Sequence, residues 1–139
     1  MRAAELPDGT FLPGLDIRDG GILVDEARLA HPGDILHEAG HLAVTAAGER
    51  NAPTLAPTDG DEMAALAWSY AALKHLALDP AVVFHPQGYK GGSASLIEAF
   101  DGPGGPGLPL LQWYGMTAAP KAAAEQGVAP FPHMSRWLR

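Results

Sequence analysis

The sequence predicts an α+β fold in which a small, mainly antiparallel sheet lies beside two principal helices. A β-prone apolar run follows a tight turn near residue 20, and two later stretches repeat apolar residues with helical periodicity. The length of 139 residues fits one domain spanning 1–139. Glycine (17) and proline (13) are abundant, so we expect long irregular connections, including an irregular Gly/Pro-rich C-terminal segment from about residue 101.

The sheet is predicted near the N-terminus. Residues 1–15 are rich in proline and glycine and are expected to be irregular. Residues 15–25 are predicted to form a hairpin, because Asp19-Gly20-Gly21 suits a tight turn and residues 22–24 are β-prone and apolar. A further short β-like run covers residues 81–85.

The first principal helix is predicted to begin near Asp34. An aspartate is a good N-cap, and Pro32-Gly33 interrupts whatever structure precedes it. Gly48 is the expected stop. Apolar side chains recur along this stretch at helical spacing, and they are Ile35, Leu36, Ala39, Leu42, Ala43 and Ala46.

The second principal helix is predicted over residues 61–78, because its interior is rich in strong helix formers. The residues able to cap it are Thr58, Asp59 and Asp61. Asp79-Pro80 ends it. Two short helices are expected over residues 93–100 and 110–116, and the tail from 118 to 139 is expected to wrap the surface.

Composition excludes several classes of function. The net charge is −7, and a chain without a basic stripe is unsuited to nucleic acid or to an anionic membrane surface. Cysteine is absent, which excludes disulfides and thiolate metal sites and fits a reducing cytoplasm. No apolar run approaches the roughly 20 residues of a membrane helix, and no secretory signal is visible. We therefore expect a cytoplasmic location, with no nucleic acid and no membrane as partner.

One short motif contains residues that we expect to bind a metal and to take part in catalysis. His37-Glu38-Ala39-Gly40-His41 places two histidines at i and i+4, on one face of the first helix. Two imidazole nitrogens at this spacing can converge on one zinc ion. Zinc lowers the pKa of a water that it binds, and Glu38 lies beside the pair as the general base for that water. The alternative is a pair of surface histidines on a solvated helix.

A catalytic zinc usually has three protein ligands, so a third is expected elsewhere. Glu62 is our choice, because it lies 21 residues after His41, in the first turn of the next helix. In the alternative interpretation, Glu62 binds no metal and its carboxylate only interacts favourably with the helix dipole. Asp61 and Asp59 are the alternatives. His75 lies more than three turns beyond Glu62 and cannot share an ion with it.

An oxyanion formed during hydrolysis also needs a stabilising group. His85 and Tyr89 are the candidates, since both lie where a short run enters a glycine-rich loop. The alternative interpretation is a surface histidine and a loop aromatic. Six aromatic or apolar residues are expected to be packing residues, namely Trp68, Tyr70, Leu73, Trp113, Tyr114 and Trp137. His31 and His133 are expected to be structural or exposed.

The motif His37-Glu38-Ala39-Gly40-His41, followed by Asp61-Glu62-Met63-Ala64-Ala65, resembles the zincin (HExxH) metallopeptidases. It looks most like the gluzincin subgroup and the small minigluzincin and ImmA/IrrE-type domains. The resemblance covers about residues 20–78. It implies His37 and His41 as zinc ligands, Glu38 as the catalytic base and Glu62 as the third ligand.

The sequence also departs from related patterns. Val44 and Ala47 stand where the metzincins have a glycine and a third histidine. The segment before the motif is too short for the upper domain of a large zincin, and the last sixty residues match no family pattern. We expect a zinc-dependent hydrolase, a small metallopeptidase with a peptide or protein substrate. The alternatives are a non-catalytic zinc-binding regulatory or structural protein, closed by a fourth ligand such as His85, and an interaction domain without metal. Two histidines and a carboxylate also suit Fe(II).

Overall fold

A computed structural model describes all residues, 1–139. The sheet has three short strands, β1 (Arg2–Ala3), β2 (Leu15–Arg18) and β3 (Gly21–Val24), in the order β1-β3-β2. β2 and β3 form the predicted antiparallel hairpin, and β1 pairs with β3 in parallel. Asp19 and Gly20 both have positive φ, 50° and 73°, as a type I′ hairpin turn requires. The first residues are therefore not wholly irregular, because β1 closes one edge of the sheet.

Five α-helices follow the sheet, which confirms the α+β fold. They are α1 (Asp34–Val44), α2 (Asp59–His75), α3 (Ser93–Asp101), α4 (Leu108–Trp113) and α5 (Pro120–Gln126). α1 and α2 are the two principal helices, and they pack against each other. None of the helices combines the length and the apolar character that a membrane crossing would need.

α1 begins differently from the prediction. Its N-cap is Gly33, which has no side chain, and Asp34 is the first helical residue. The Asp34 carboxylate does not cap the helix, because it faces His85 Nε2 at 2.8 Å. α1 also ends at Val44, four residues before Gly48.

Two arginines satisfy carbonyl groups at the end of α1. Arg50 Nε–H donates to the Leu42 carbonyl at 2.9 Å, and the backbone N–H of Arg139 donates to the Ala43 carbonyl at 2.9 Å. The negative end of the helix dipole is also stabilised by nearby cationic side chains. The metal-motif helix is therefore anchored at its C-terminal end by residues outside the helix.

α2 begins with a capping box, which fixes where its first turn lies. Asp61 N–H donates to Thr58 Oγ1 at 3.2 Å, and the Thr58 N–H donates to the Asp61 carboxylate at 2.8 Å. Each side chain satisfies a backbone donor that the helix leaves free. Thr58 is thus the N-cap, one of the three predicted, and the helix starts two residues earlier than expected.

The remaining elements correct two predictions. Residues 81–85 are not a strand, because Asp79 caps a 3-10 turn over Pro80–Val82 through the Ala81 N–H. The tail does not only wrap the surface, since it contains α5 and buries Phe131 and Met134 in the core. The helices predicted over 93–100 and 110–116 are present as α3 and α4.

The core surrounds α2 and is built from alanine, aromatic and larger aliphatic side chains. Sixteen buried residues form it, including Tyr70 and Leu73 as predicted. Trp68 is partly buried against this core, and its indole N–H donates to the Trp137 carbonyl at 2.9 Å. Trp113 is not a packing residue, because it is 84% exposed at the end of α4. The inward face of α4 is formed by Leu108 and Leu111, which leaves residue 113 on the opposite face.

Candidate metal centre

The helical spacing of the motif brings two imidazoles together. His37 and His41 are both buried on α1, and their Nε2 atoms lie 3.1 Å apart. The rings meet edge to face, with centroids 4.7 Å apart. This arrangement places two nitrogen ligands on one side of the helix, as the i and i+4 spacing predicts.

α2 adds a carboxylate to this pair. Glu62 lies in the first turn of α2, with Oε1 at 2.9 Å from His37 Nε2 and Oε2 at 3.0 Å from His41 Nε2. The pKa of Glu62 is held far below its usual range, because hydrogen bonds from His37 and His41 stabilise the charged form. Of the two alternatives, Asp61 is engaged in the capping box and Asp59 is exposed. Of these three carboxylates, the structure therefore brings only Glu62 to the histidines.

The packing of α1 on α2 sets these distances. Gly40 lies between the two histidines in sequence and faces α2 at Ala65. A Cβ at Gly40 would come within 2.8 Å of the Ala65 carbonyl oxygen. Ser69 Oγ donates to this same carbonyl at 2.7 Å. The absence of a side chain at Gly40 lets the helices approach closely enough for Glu62 to reach both imidazoles.

The three groups fit a metal ion. Ligands placed about 2.0–2.1 Å from a tetrahedral zinc lie about 3.3–3.4 Å from one another. The two Nε2 atoms are 3.1 Å apart, and Glu62 presents Oε1 to His37 at 2.9 Å and Oε2 to His41 at 3.0 Å, so small outward movements would admit an ion. Two imidazoles and one ionised carboxylate are also a donor set that suits zinc and Fe(II).

Glu38 lies beside the histidine pair and is only 8% exposed. One ligand atom from each of His37, Glu38 and His41 lies within 4.8 Å of the others. Burial raises the pKa of Glu38, against the opposing effect of His41 and His37. A carboxylate whose pKa is raised in this way is better suited to accept and return a proton near neutral pH.

Tyr89 contacts the outer side of the His37 ring. Its hydroxyl lies 3.4 Å from His37 Nδ1, the nitrogen that does not face Glu62. Burial raises the pKa of Tyr89 well above its usual range, so the hydroxyl stays neutral. A hydrogen-bonding group at this position can orient the imidazole and select its tautomer. The role of Tyr89 in stabilising an oxyanion stays a prediction.

His85 occupies a different part of the site. It is buried rather than on the surface, and its Nε2 lies 2.8 Å from Asp34 Oδ1. The His31 ring stacks on it with centroids 3.7 Å apart, and Gly88 lies against the ring. Its Nδ1 is buried without a hydrogen-bond partner. The His85 ring is therefore held through Nε2 by Asp34. The role of His85 in stabilising an oxyanion stays a prediction.

Sequence reasoning missed Asp34 as part of this neighbourhood. Asp34 precedes His37 by one helical turn, and that spacing was visible in the sequence. Its partner His85 lies 51 residues away, so only the tertiary fold reveals the pair.

Open space adjoins the centre on two sides. A cavity of about 960 Å³ is lined in part by His37, Glu62 and Tyr89. A second cavity of about 460 Å³ is lined in part by Glu38, His41 and Glu62. Residues of the candidate metal centre therefore line both cavities, and Glu62 lines the two of them.

Comparison with protein-family models, with curated proteins and with solved structures found no match to this chain. What the chain does is therefore argued from the site itself: a His37-Glu38-His41 triad with the HExxH spacing, completed by a carboxylate from the neighbouring helix.

Proposed function

We propose that this chain is a zinc-dependent hydrolase that cleaves peptide bonds. One observation carries the proposal. The Nε2 atoms of His37 and His41 lie 3.1 Å apart, each faces one Glu62 carboxylate oxygen at 2.9 or 3.0 Å, and a further group, the Glu38 carboxylate, is buried beside them. Structural and catalytic metal sites differ in whether a coordination position is left for water or substrate. Three ligands and a separate base match the catalytic type.

The proposal assigns a task to each residue. His37, His41 and Glu62 would hold the zinc ion, and Tyr89 would keep the His37 ring in its orientation. When bound, zinc polarises a substrate carbonyl and promotes ionisation of water. An ionised Glu62 would add the negative charge that favours a dication.

Glu38 moves the proton in this mechanism. Its carboxylate accepts a proton from the water whose oxygen bonds to the carbonyl carbon of the substrate. When the C–N bond breaks, the Glu38 carboxyl group returns the proton to the leaving nitrogen. One water is consumed, and an acid and an amine are released. The resemblance of the motif to the zincin peptidases supports the choice of a peptide bond.

A second candidate is a zinc-binding regulatory or structural protein without turnover. It is favoured by the closeness of Glu38, which lies near enough to the two histidines to close the site as a fourth ligand. His85, the fourth ligand expected from the sequence, pairs its Nε2 with Asp34 and leaves its Nδ1 without a hydrogen-bond partner.

The Glu38→Gln variant separates the two candidates. We expect it to retain zinc and to lose peptide hydrolysis, because glutamine cannot accept the proton. Glu98→Gln is the control, since Glu98 is exposed on α3. Loss of zinc in Glu38→Gln would favour the structural site, and undiminished hydrolysis would refute the mechanism.

Elemental analysis tests metal binding itself. Protein purified without added metal, then incubated with zinc and desalted, is expected to carry one equivalent. His37→Ala should lose it, whereas His75→Ala should keep it, because His75 is exposed at the far end of α2. Equal and negligible zinc in all three proteins would refute the proposal.

A further inference from the structure

We infer that Asp34 and His85 are positioning residues for the candidate metal centre: their pair anchors the segment 85–93 to α1, and the anchored segment holds Tyr89 against His37. The inference rests on the proposed function in taking His37 as a metal ligand. It gives a task to two buried residues that neither the motif nor the ligand geometry includes.

The segment 85–93 contacts α1 at two points. His85 Nε2 lies 2.8 Å from Asp34 Oδ1. Further along the segment, the Tyr89 hydroxyl lies 3.4 Å from His37 Nδ1. Because three residues separate Asp34 from His37 on α1, the two contacts lie one helical turn apart on one face. The first contact is short and joins two buried side chains, whereas the second is near the upper limit of a hydrogen bond. The Asp34–His85 pair is therefore the stronger attachment.

The His85 residue is fixed on several sides. The His31 ring stacks on its ring with centroids 3.7 Å apart, and a Cβ at Gly88 would come within 3.0 Å of the ring. The His85 carbonyl accepts from Ser93 Oγ at 2.6 Å and from the Gly88 N–H at 3.0 Å. His85 Nδ1 has no hydrogen-bond partner. Removal of the Asp34 carboxylate would therefore leave a buried imidazole with neither nitrogen paired, which is a costly arrangement.

The middle of the segment has a backbone conformation that needs this support. Tyr89, Lys90 and Gly91 have φ angles of 54°, 53° and 81°. Glycine adopts this left-handed region readily, but the first two residues are not glycine. Such strained residues persist only where the surrounding structure restrains them, and they are concentrated at functional sites. Without the anchor at residue 85, the segment is expected to relax and to withdraw the Tyr89 hydroxyl from the imidazole.

A double-mutant cycle tests whether Asp34 acts through Tyr89. Asp34→Ala should weaken zinc binding about tenfold, as Tyr89→Phe should, because both changes remove the group that orients an imidazole ligand. In the Tyr89→Phe background, Asp34→Ala should cause no further loss, since the hydroxyl that it positions is already absent. Competition with a zinc chelator gives the affinities. Losses that simply add would overturn the inference.

Asp34→Asn is the matched control, because it separates the anchor from the charge. Asparagine keeps an oxygen that accepts a hydrogen bond from the His85 Nε2–H, yet it removes the same negative charge that alanine removes. We expect Asp34→Asn to keep the zinc affinity of the wild-type protein. If asparagine and alanine weakened zinc binding equally, the effect would come from charge near the ion, and the positioning role would be wrong.

Trypsin cleavage of the metal-free protein reports on the anchor without relying on zinc. Lys90 is exposed in the middle of the segment, and Lys121, exposed at the start of α5, is the internal reference. We expect Asp34→Ala to be cut after Lys90 at least about tenfold faster, the scale of one lost hydrogen bond to a charged group. Cleavage after Lys121 should stay the same. An unchanged ratio of the two rates would contradict the anchoring role.

Ser93→Ala loosens the same segment by a milder change, and it replaces Asp34→Ala if that variant does not fold. It removes the hydrogen bond to the His85 carbonyl. We expect faster cleavage after Lys90, and weaker zinc binding only when the Tyr89 hydroxyl is present. If neither changed, the inference would be refuted. Absence of zinc from the wild-type protein would overturn the proposed function and the positioning of a ligand, whereas faster cleavage after Lys90 would still support the anchor.

Discussion

Gly40 lies where α1 crosses α2, and its replacement by alanine tests how the candidate metal centre is assembled. A Cβ added there would lie 2.8 Å from the Ala65 carbonyl oxygen and 3.2 Å from Ser69 Oγ. The first contact is with backbone, which cannot turn aside as a side chain can. Alanine at this position therefore requires the two helices to separate by several tenths of an ångström.

Two opposing effects set how much Gly40→Ala changes the free energy of unfolding. Glycine to alanine in a helix interior stabilises by about 1 kcal/mol. Overpacking a close contact costs about 1–3 kcal/mol. We expect the second effect to exceed the first by about 1 kcal/mol, which lowers the melting temperature of a domain of this size by about 4 °C. Because Glu62 is on one helix and both histidines are on the other, zinc affinity should also fall about tenfold, as when groups that orient metal ligands are removed.

Gly60→Ala is the matched control. It is also a helical glycine on α2, but its added Cβ would find its nearest neighbours at 3.7 Å, an ordinary contact. We expect it to leave stability unchanged or to raise it by up to about 1 kcal/mol, with zinc affinity retained. Thermal unfolding of the metal-free proteins and competition with a zinc chelator provide the two readouts. The close crossing would be refuted if Gly40→Ala stabilised the protein as much as Gly60→Ala does and left zinc affinity unchanged.

Two further predictions concern the residues that hold the ligands. Thr58→Ala removes the capping box of α2, so the free energy of unfolding should fall by about 1 kcal/mol, as measured by urea denaturation; no change would show that the cap does not stabilise the fold. Tyr89→Phe removes the hydroxyl 3.4 Å from His37 Nδ1 and should weaken zinc binding about tenfold. Because phenylalanine keeps the ring, the melting temperature of the metal-free protein should stay nearly constant, and unchanged zinc affinity would contradict the orienting role.

Much of the fold could be predicted because local rules decided it. The hairpin follows from a turn in which Asp19 and Gly20 take positive φ. α2 follows from helix-forming residues and a capping box at Thr58. The prediction was wrong where a side chain could either cap its own helix or bind a distant residue. Asp34 is a good N-cap by type, but its carboxylate faces His85 instead.

Predictions also failed where distant packing competes with local pattern. Residues 81–85 look β-prone, but they have no neighbouring strand, and Asp79 caps a 3-10 turn instead. The tail contains too many prolines to suggest a core element, yet Phe131 and Met134 complete the hydrophobic core. Apolar residues in an irregular segment have no periodicity from which their burial can be predicted.

The sequence by itself determined the pairing of His37 with His41, because one helical turn brings i and i+4 together wherever that helix lies. It also placed Glu38 beside them. Only the tertiary structure decided that Glu62 reaches both imidazoles, that Tyr89 contacts the far side of His37 and that Phe11 lines two cavities. These three side chains come from separate segments, so their positions depend on how α1, α2 and the loops pack, and local spacing carries no information about that packing.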